Sequence, residues 1–531
     1  MKFWHIELFA GCGGMSLGLE SAGFELFFAN ELSPMAAETF AYNLLNENLE
    51  TLAAEKKEPS KSIWIKSKYP KTELSKRLRE NPFEAKNYHE TDLSPKEDLE
   101  RKLLVGDIDE LLKWLTSNPQ VVKSIKKQNI TLLSGGPPCQ SFSLAGKREK
   151  NNAKNLLPLS FAKFAGLVKP KIVLLENVKG ITSAFTENGK KYHAWFEVAK
   201  AFALEGYAPV CMMLNSKYFG VAQNRPRFIL LAIREDLVKK LSKIKNDDRL
   251  TESLMFFQTV NANKESLDNI SMDLLKYYDI ESNAYLYNGF LFPKITTPID
   301  QQVTALSAID DLREVGTKEF NSNIKNDYRD KLNNVFDAHA SFNGLIANHE
   351  PRKHSFNVKA RFRLYQVISQ FINGNKKIAI DAILGKKLEK NELKKLTDEI
   401  SKYDILFHNE QTEWYQELKN PRQVEAYFTS IATRKHSQRA LRKNEPAPAQ
   451  LTIPDDLCHY DKDQLRTLTV REMARLQSFP DWFRFRSKAT TGGTCRKFEV
   501  PQYTQVGNAV PPLLAKALGE TIINILKQVE S

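Results

Sequence analysis

The sequence lacks the cysteine patterns that mark disulfide scaffolds and zinc sites. It has five cysteines in 531 residues: Cys12, Cys139, Cys211, Cys458 and Cys495. No two of them form a CxxC pair, so a disulfide framework and a four-cysteine zinc site are both poorly supported. We therefore predict a reduced protein that holds no metal, which is the usual state of cytoplasmic proteins.

Long apolar runs are also missing. No stretch approaches the ~18–20 apolar residues that a membrane-spanning helix needs. The first apolar stretch, residues 3–9, is interrupted by Glu7 and followed at once by glycines. A signal peptide would have a longer uninterrupted apolar core and a small-residue cleavage site. We expect a cytoplasmic protein that does not associate with a membrane.

The composition is that of a folded protein with an excess of positive charge. Hydrophobic residues make up 42% and charged residues 27% of the chain, which excludes a disordered protein. The 77 Lys and Arg outnumber the 64 Asp and Glu, giving a net charge of +13. This excess favours an anionic partner, although it is spread over a chain long enough for several folding units.

Strand and helix signals alternate along the first part of the chain. Residues 3–9 predict a buried strand, residues 16–22 a helix, residues 25–29 a second strand, and residues 34–45 a second helix. Further continuous apolar stretches predict strands at residues 103–107, 130–134, 171–175 and 228–233. This rhythm indicates an α/β fold with a doubly wound, buried parallel sheet.

Two stretches break the rhythm. Residues 47–102 are rich in Lys and Glu and predict a charged insertion, either a solvated excursion or a basic arm that faces DNA. Residues 229–464 predict a second, smaller domain, and residues 465–531 return to complete the first domain, residues 1–228.

The predicted second domain contains two basic clusters, at residues 352–363 and 434–443. The tetrapeptide Arg-Lys-His-Ser occurs once in each, at 352–355 and 434–437. No longer repeat surrounds the two copies, so we interpret the coincidence as chance. Both clusters are equally compatible with phosphate contacts and with solvated surfaces.

A glycine-rich turn follows the first strand. Gly11, Gly13 and Gly14 allow a ligand to approach the backbone closely, and Glu31 falls at the tip of the next predicted strand. A carboxylate at that place commonly accepts hydrogen bonds from ribose hydroxyls, which favours a nucleoside-bearing cofactor. The GxGxxG spacing of dinucleotide enzymes is absent, so a nucleotide-dependent oxidoreductase is a weaker alternative.

Chemically useful side chains lie where other predicted strands begin or end. Cys139 follows a Gly-Gly-Pro-Pro turn, a rigid loop that suits a nucleophilic thiol. Glu176 ends the next apolar strand, and Arg225 and Arg227 alternate just before another. The alternative interpretation is an inert loop cysteine with ordinary surface charges.

Together these residues belong to an ordered set of motifs that resembles the DNA cytosine-C5 methyltransferase family. Six motifs occur in the family's order, and as a set they are highly specific: residues 9–14 (FAGCGG), 135–143 (GGPPCQSFS), 176–178 (ENV), 223–227 (QNRPR), 466–481 (RTLTVREMARLQSFPD) and 505–512 (QVGNAVPP). Glu7 stands where many members have Asp, a change that keeps the carboxylate.

The resemblance implies the roles of four catalytic residues. Cys139 would add to C6 of a cytosine, and Glu176 would hold or protonate N3. Arg227 would contact O2, and Arg225 would support the site. The target base would have to be flipped out of the duplex.

The resemblance also implies S-adenosyl-L-methionine as the cofactor. Phe9, Gly11 and Gly13 would lie beneath it, Glu31 would bind the ribose, and Asp107 with Ile108 would contact the adenine. The full set of cofactor-binding residues expected from the resemblance is Phe9, Gly11, Gly13, Glu31, Asp107, Ile108, Pro138, Leu157, Asn508 and Val510.

For the whole chain, the resemblance implies a site-specific enzyme of a restriction-modification system, with residues 229–464 as the target-recognition domain. Double-stranded DNA would be the partner. The enzyme could protect DNA from a partner restriction endonuclease or act alone, and the endonuclease would be a separate protein because this sequence shows no nuclease signature. We expect a monomer, because the sequence shows no heptad or dimer signature. A transfer RNA methyltransferase is an alternative, but the Cys-Phe-Thr signature of those relatives is missing and the recognition region is large. A catalytically inactive DNA-binding protein is disfavoured because Cys139 and Glu176 are both present.

Overall fold

A computed structural model describes most of the chain. The described residues are 2–67, 69, 71–83, 91–138, 157–187, 190–313, 319–320, 324–337, 344–409 and 411–530. Cys139 lies outside them, so its predicted place in a catalytic loop is described here only through the residues that lead up to it.

Twelve described strands occur before residue 280, and nine of them form one sheet. In chain order the strands are β1 Phe3–Leu8, β2 Phe24–Glu31, β3 Ser62–Trp64, β4 Lys102–Val105, β5 Leu132–Gly135, β6 Ile172–Val178, β7 Ala184–Glu187, β8 Lys190–His193, β9 Tyr207–Asn215, β10 Gln223–Asn224, β11 Pro226–Arg234 and β12 Tyr277–Asp279. The order across the sheet is β3-β4-β2-β1-β5-β6-β11-β9-β12.

Helices pack on both sides of this sheet and build the rest of the chain. They are α1 Gly14–Ser21, α2 Pro34–Leu44, α3 Leu49–Ala54, α4 Lys71–Arg77, α5 Ile108–Ser117, α6 Pro119–Lys127, α7 Leu157–Val168, α8 Ala194–Leu204, α9 Glu235–Ile244, α10 Asp248–Ala262, α11 Ala305–Ile309, α12 Asp327–Val335, α13 Phe356–Ile368, α14 Asn373–Ile383, α15 Lys390–Ile400, α16 Pro421–Ser430, α17 Val470–Leu476, α18 Gln502–Asn508 and α19 Pro512–Glu530.

The α/β fold class predicted from the sequence is confirmed, with one difference in strand direction. β11 runs antiparallel to both of its neighbours, β6 and β9, whereas every other pair in the sheet is parallel. A continuous apolar run predicts a strand buried on both faces but does not encode its direction. The order of strands across the sheet changes direction at β1, with β2 and β4 on one side of it and β5 and β6 on the other. The carboxyl ends of these five parallel strands lie along one edge of the sheet.

The predicted domain boundary at residue 228 needs correction. It falls inside β11, whose residues from Phe228 to Ile233 are completely buried in the middle of the sheet. The chain then forms α9 and α10 and returns to the same sheet as β12, which pairs with β9. It leaves the sheet at about residue 280. The loss of the regular helix–strand alternation in the sequence does not mark the domain boundary, because the sheet domain continues beyond that point.

The charged insertion is partly built into the sheet. β3 is its edge strand and pairs with β4, with Trp64 buried. The buried carboxylate of Glu47 accepts hydrogen bonds from the backbone amides of Ser60, Lys61 and Ser62, at 2.7, 2.8 and 2.9 Å. This part of residues 47–102 is therefore neither a purely solvated excursion nor a free arm.

The last helix returns to the first. α19 packs along α1, and the contact is so close that it depends on glycine. A Cβ on Gly18 would lie 2.3 Å from the carbonyl oxygen of Pro512, and one on Gly14 would lie 2.5 Å from that of Val510. The C-terminal segment therefore sits beside the loop that follows β1.

The remaining strands are short and lie outside the large sheet: β13 Glu319–Phe320, β14 Ile346–Ala347, β15 Asp404–His408, β16 Glu413–Glu417, β17 Arg439–Ala440, β18 Ala447–Pro448 and β19 Leu457–Cys458. The helices α13 to α16 share a separate apolar cluster that includes Phe362, Leu396 and Phe428. This cluster and its hairpin of β15 and β16 form a distinct lobe. Among the described residues, no single helix is long and apolar enough to cross a membrane; only a bent pair, residues 493–508 with 512–529, meets that test jointly.

Buried ion pairs surround α17. Arg466 donates two hydrogen bonds to Glu472, at 2.8 and 2.7 Å, and Glu472 also caps the helix by accepting from the amide of Thr469. Arg475 pairs with Asp311 at 2.5 Å and with Asp481 at 2.8 Å. Burial alone would raise the pKa of Glu472, but Arg466 outweighs it and holds that pKa at about 2.

We predict that Gly18→Ala lowers the free energy of unfolding by about 1–3 kcal/mol, because the added methyl group has no space against Pro512. Urea denaturation followed by circular dichroism measures the change. The matched control is Gly374→Ala in α14, where a Cβ meets no atom within 4 Å. A Gly18→Ala protein as stable as this control would contradict the close packing of α1 on α19.

We predict that Glu472→Gln lowers the free energy of unfolding by about 3 kcal/mol at pH 7, because it leaves Arg466 buried without its carboxylate. A carboxylate whose folded pKa is about 2 stabilises the fold above its unfolded pKa and loses that contribution as the pH falls towards 2. The difference between variant and parent should therefore shrink between about pH 4.5 and pH 2.

Urea titrations of both proteins at several pH values provide this measurement. The control is Glu413→Gln, which breaks the partly exposed pair with Lys359 and should change stability by less than about 1 kcal/mol. A deficit for Glu472→Gln that stays constant with pH would show that the pair does not titrate as described.

Candidate active site

The loop after β5 lies in close contact with the sheet. A Cβ on Gly135 would lie 2.4 Å from the carbonyl oxygen of Leu8, and one on Gly136 would lie 2.9 Å from Oε2 of Glu176. Both positions therefore require glycine. Gly136 precedes Cys139 by three residues, so the backbone that leads to the predicted nucleophile touches the predicted acid.

Glu176 and Arg227 form a buried ion pair on neighbouring antiparallel strands. Arg227 Nε lies 2.7 Å from Glu176 Oε1, and both side chains are about 10% exposed. Burial lowers the pKa of Arg227, while Glu176 raises it. The antiparallel direction of β11 brings the start of that strand to the end of β6, which the predicted parallel strand would not do.

Asn177 fixes the same loop by a different contact, which the sequence analysis did not find. Its Nδ2 donates a hydrogen bond to the carbonyl oxygen of Pro137, at 2.9 Å, and its Oδ1 accepts from the amide of Val178. The side chain is buried. The sequence did single out this position, since Asn177 is the central residue of the Glu-Asn-Val motif. The residue type alone, however, does not indicate which group its side chain bonds to.

Arg225, whose predicted role is to support the site, is anchored to the C-terminal segment. Its side chain is 2% exposed, and its Nη2 donates to the carbonyl oxygens of Gly507, at 2.7 Å, and Ala509, at 3.2 Å. Its Nη1 reaches the carbonyl oxygen of Gln450 at 3.3 Å. Burial lowers the pKa of Arg225 well below its usual value. Arg225 therefore joins β11 to the segment that contains Asn508.

The glycine loop after β1 is tied to the end of β2. Phe9, at φ 55°, and Gly11 and Gly13, at φ 56° and 95°, make the turn. The carboxylate of Glu31 accepts from the amide of Gly11 at 2.8 Å and from the amide of Ser33 at 2.7 Å. The space beside Gly11 is open, since a Cβ there would meet no atom within 4 Å. Burial raises the pKa of Glu31.

The other predicted cofactor residues lie on four other segments, after β4, after β5, at the start of α7 and before α19. Asp107 is buried and caps α5, where its Oδ1 accepts from the amide of Asp109 at 2.9 Å, and Ile108 is buried in the core. Leu157 begins α7 and is partly buried against the same core. Pro138 and Asn508 are exposed. Val510 is buried, and its carbonyl oxygen abuts Gly14.

A buried carboxyl group, that of Glu7, contacts the helix that follows the glycine turn. Glu7 is buried in β1, and Ser16 of α1 donates a short hydrogen bond to its Oε2. Burial raises the pKa of Glu7 to about 8, so the group is largely neutral at physiological pH. Its contact with α1 explains why the position needs a carboxyl group.

A separate cleft lies apart from these residues. It has a volume of about 1080 Å³ and is lined by residues of α2, the insertion and the 347–352 and 484–490 segments, among them Glu38, Arg79, Arg352, Arg486 and Lys488. None of the predicted catalytic or cofactor residues lines it. Within the described ranges, no group of three or more His, Cys, Asp or Glu side chains is arranged to hold a metal.

The chain is similar to known proteins over nearly its whole length. Relatives of similar length include the type II methyltransferases M.DdeI of Desulfomicrobium norvegicum, 23% identical over 97% of this chain and 88% of that protein, and M.XorII of Xanthomonas oryzae pv. oryzae, 26% identical over 98% and 85%. The fold is similar to that of a solved structure described as a DNA modification methyltransferase from an Escherichia coli prophage. That chain is 19% identical, with a TM-score of 0.51 and coverage of 99% of this chain and 100% of that one.

The family match extends over nearly the whole chain and omits part of the insertion. The sequence profile of the C-5 cytosine-specific DNA methylases matches residues 3–73 and 102–524. The matched ranges include the described strand ends and the C-terminal segment that Arg225 holds. This chain therefore belongs to the C-5 cytosine-specific DNA methylase family.

Proposed function

We propose that this protein is a site-specific methyltransferase that modifies C5 of cytosine in double-stranded DNA. The relatives named above are type II methyltransferases, and we infer that this chain likewise protects DNA from a separate restriction endonuclease in the cytoplasm, as a monomer. The observation that supports the chemistry most directly is the buried pair of Glu176 and Arg227 against Gly136.

The reaction assigns one task to each of these side chains. The Cys139 thiolate adds to C6 of the cytosine, and the ring becomes nucleophilic at C5. Glu176 holds N3 and stabilises the charge that develops in the ring, while Arg227 keeps the Glu176 carboxylate in place and contacts O2. After methylation, loss of the C5 proton and release of the thiolate restore the aromatic ring.

The residues around the glycine turn fit the cofactor that this reaction needs. S-adenosyl-L-methionine supplies the methyl group. The open space beside Gly11 and the partly exposed Phe9 ring offer a surface for it, and the carboxylate of Glu31 has acceptor capacity for ribose hydroxyls beyond its two backbone bonds. The resemblance assigns Asp107, Leu157 and Asn508 to the same cofactor.

A cytosine stacked in a duplex cannot reach a carboxylate that is about 10% exposed at the end of β6. The base must therefore be flipped out of the helix, which costs a few kcal/mol of stacking and pairing. The rigid loop around Gly136 and Pro137, held by Asn177, suits a pocket that receives the flipped base.

The test uses purified protein, tritiated S-adenosyl-L-methionine and unmethylated genomic DNA, followed by bisulfite sequencing. We expect C5 methylation in one short sequence context, and no methylation by Cys139→Ser, which lacks the thiol nucleophile. Labelling of transfer RNA in place of DNA would favour the alternative substrate. Absence of label from both nucleic acids would overturn the proposal.

We further predict that Arg225→Lys and Arg227→Lys have different kinetic effects, although the residues are two positions apart. Arg225→Lys loosens the Gly507–Ala509 carbonyls, so it should raise the KM for S-adenosyl-L-methionine about 10- to 100-fold while kcat changes less. Arg227→Lys removes the guanidinium beside Glu176 and should mainly lower kcat. Steady-state kinetics with saturating DNA distinguishes the two.

Thermal unfolding of both variants controls for general loss of structure. If both substitutions lowered kcat equally and left KM unchanged, Arg225 would belong with the catalytic residues and its contact with the C-terminal segment would be incidental.

A further inference from the structure

The two copies of the Arg-Lys-His-Ser tetrapeptide, which are far apart in the sequence, meet at one carboxylate. Arg352 from the first copy pairs with Oδ1 of Asp455. Lys435 from the second copy pairs with Oδ2 of the same residue, at 2.9 Å. Gln438 donates to the Asp455 carbonyl oxygen at 2.9 Å and holds the second loop in place. The repetition that we interpreted as chance thus corresponds to one structural unit.

This unit, formed by residues 351–359 and 432–446 and called here the RKHS surface, has a strong excess of positive charge. It contains eight Lys or Arg side chains and one carboxylate, Glu445. Asp455 neutralises part of the excess. Lys353, Arg434 and Lys443 are exposed and have no ion-pair partner within the described part of the chain.

The RKHS surface is attached to the elements that build the active site. β18 follows the second loop and pairs with β10, the two residues that precede Arg225 and Arg227. On the other side, His354 contacts the amide of Thr467, at 3.3 Å, in the segment that leads to α17. A ligand bound to the RKHS surface would therefore be held at a fixed place relative to Glu176.

We propose that the RKHS surface binds the phosphate backbone of the DNA duplex and sets its position on the enzyme without reading bases. This inference rests on the proposed function and adds to it the surface of the protein that contacts DNA. Exposed Lys and Arg side chains without protein carboxylates suit phosphate oxygens, and contacts of this kind position a protein on DNA but carry no sequence information. The shared Asp455 keeps the two loops together, so their free cations act as one surface.

The distribution of charge on the lobe supports this choice of surface. The β15–β16 hairpin of the same lobe exposes Trp414 and Tyr415, but β16 begins and ends with glutamates, which repel phosphate. The cleft of about 1080 Å³ shares Arg352 with the RKHS surface, but its other Arg and Lys side chains lie among Glu38, Glu50, Glu80 and Glu350. Neither the hairpin nor the cleft offers exposed cations that, like Lys353, Arg434 and Lys443, have no ion-pair partner within the described part of the chain.

The experiment compares two triple variants of the full-length protein. Lys353→Ala/Arg434→Ala/Lys443→Ala removes the free cations of the RKHS surface. Lys387→Ala/Lys394→Ala/Lys395→Ala removes the same charge from an exposed part of the same lobe. Fluorescence anisotropy gives the Kd for a duplex containing the methylation site, and for one without it, across a range of salt concentrations.

Each phosphate contact contributes about 0.9 to the slope of log affinity against log salt. If the three cations each lose one contact, the drop in affinity between about 50 and 200 mM salt becomes about 40-fold smaller for the first variant. We expect the same change on both duplexes, because phosphate contacts do not depend on sequence. The control variant should keep the slope of the parent, and its kcat at saturating DNA should be unchanged.

Equal slopes for the first variant, the control and the parent would overturn the inference. So would a loss confined to the duplex with the methylation site, which would indicate base reading, or a loss seen with transfer RNA and not with DNA. Failure of the parent and the control to bind or methylate DNA would instead overturn the proposed function itself.

Discussion

The close contact of one backbone segment with another at the carboxyl edge of the sheet is the constraint on which the rest of the site depends. Gly135 lies against the end of β1, Gly136 against Glu176, and Gly14 against the carbonyl of Val510. A Cβ at any of these three positions would lie 2.4–2.9 Å from an atom of the neighbouring segment, so that atom or the backbone would have to shift. Because the segments come from both ends of the chain, the site exists only when the whole sheet domain is assembled.

Buried arginines join segments that are far apart in the sequence. Arg225 bonds to carbonyl oxygens near both residue 450 and residue 508, and Arg471 bonds to those of Ala347, Pro480 and Phe483. Burial lowers the pKa of Arg471 to about 10, so it remains charged at neutral pH. A guanidinium can satisfy several carbonyl oxygens at once, which suits loops that have no regular hydrogen-bond partners.

The sequence predicted most of the sheet and the strand-end positions of the predicted site residues, because both follow from local patterns. Apolar runs located six of the nine strands to within three residues, while β3, β9 and β12 were not predicted. Glycine or proline marked the loops after β1 and β5. The placement of Glu31 at the tip of β2 followed from the same logic. The roles of individual side chains at the site remain predictions, and the position of Cys139 lies outside the described residues.

The features that the sequence could not predict depend on contacts between residues that are far apart along the chain. The direction of β11, the location of the domain boundary and the contacts of Asn177 and Arg225 all require knowing which segments become neighbours. The repeated tetrapeptide is the clearest example, since its meaning depends on Asp455, a residue outside both copies. A short repeat is rightly treated as chance until a shared contact is found.

The long-range contacts also keep the packing of the lobe separate from that of the sheet. The Glu176–Arg227 pair lies on buried strands of the large sheet, whereas the lobe has its own apolar cluster. A substitution on the surface of the lobe therefore need not disturb the carboxyl edge of the sheet. Gln366 of α13 donates to the carbonyl oxygens of His459 and Asp461, and β18 pairs with β10, so the proposed DNA-binding surface would keep a fixed place relative to Glu176.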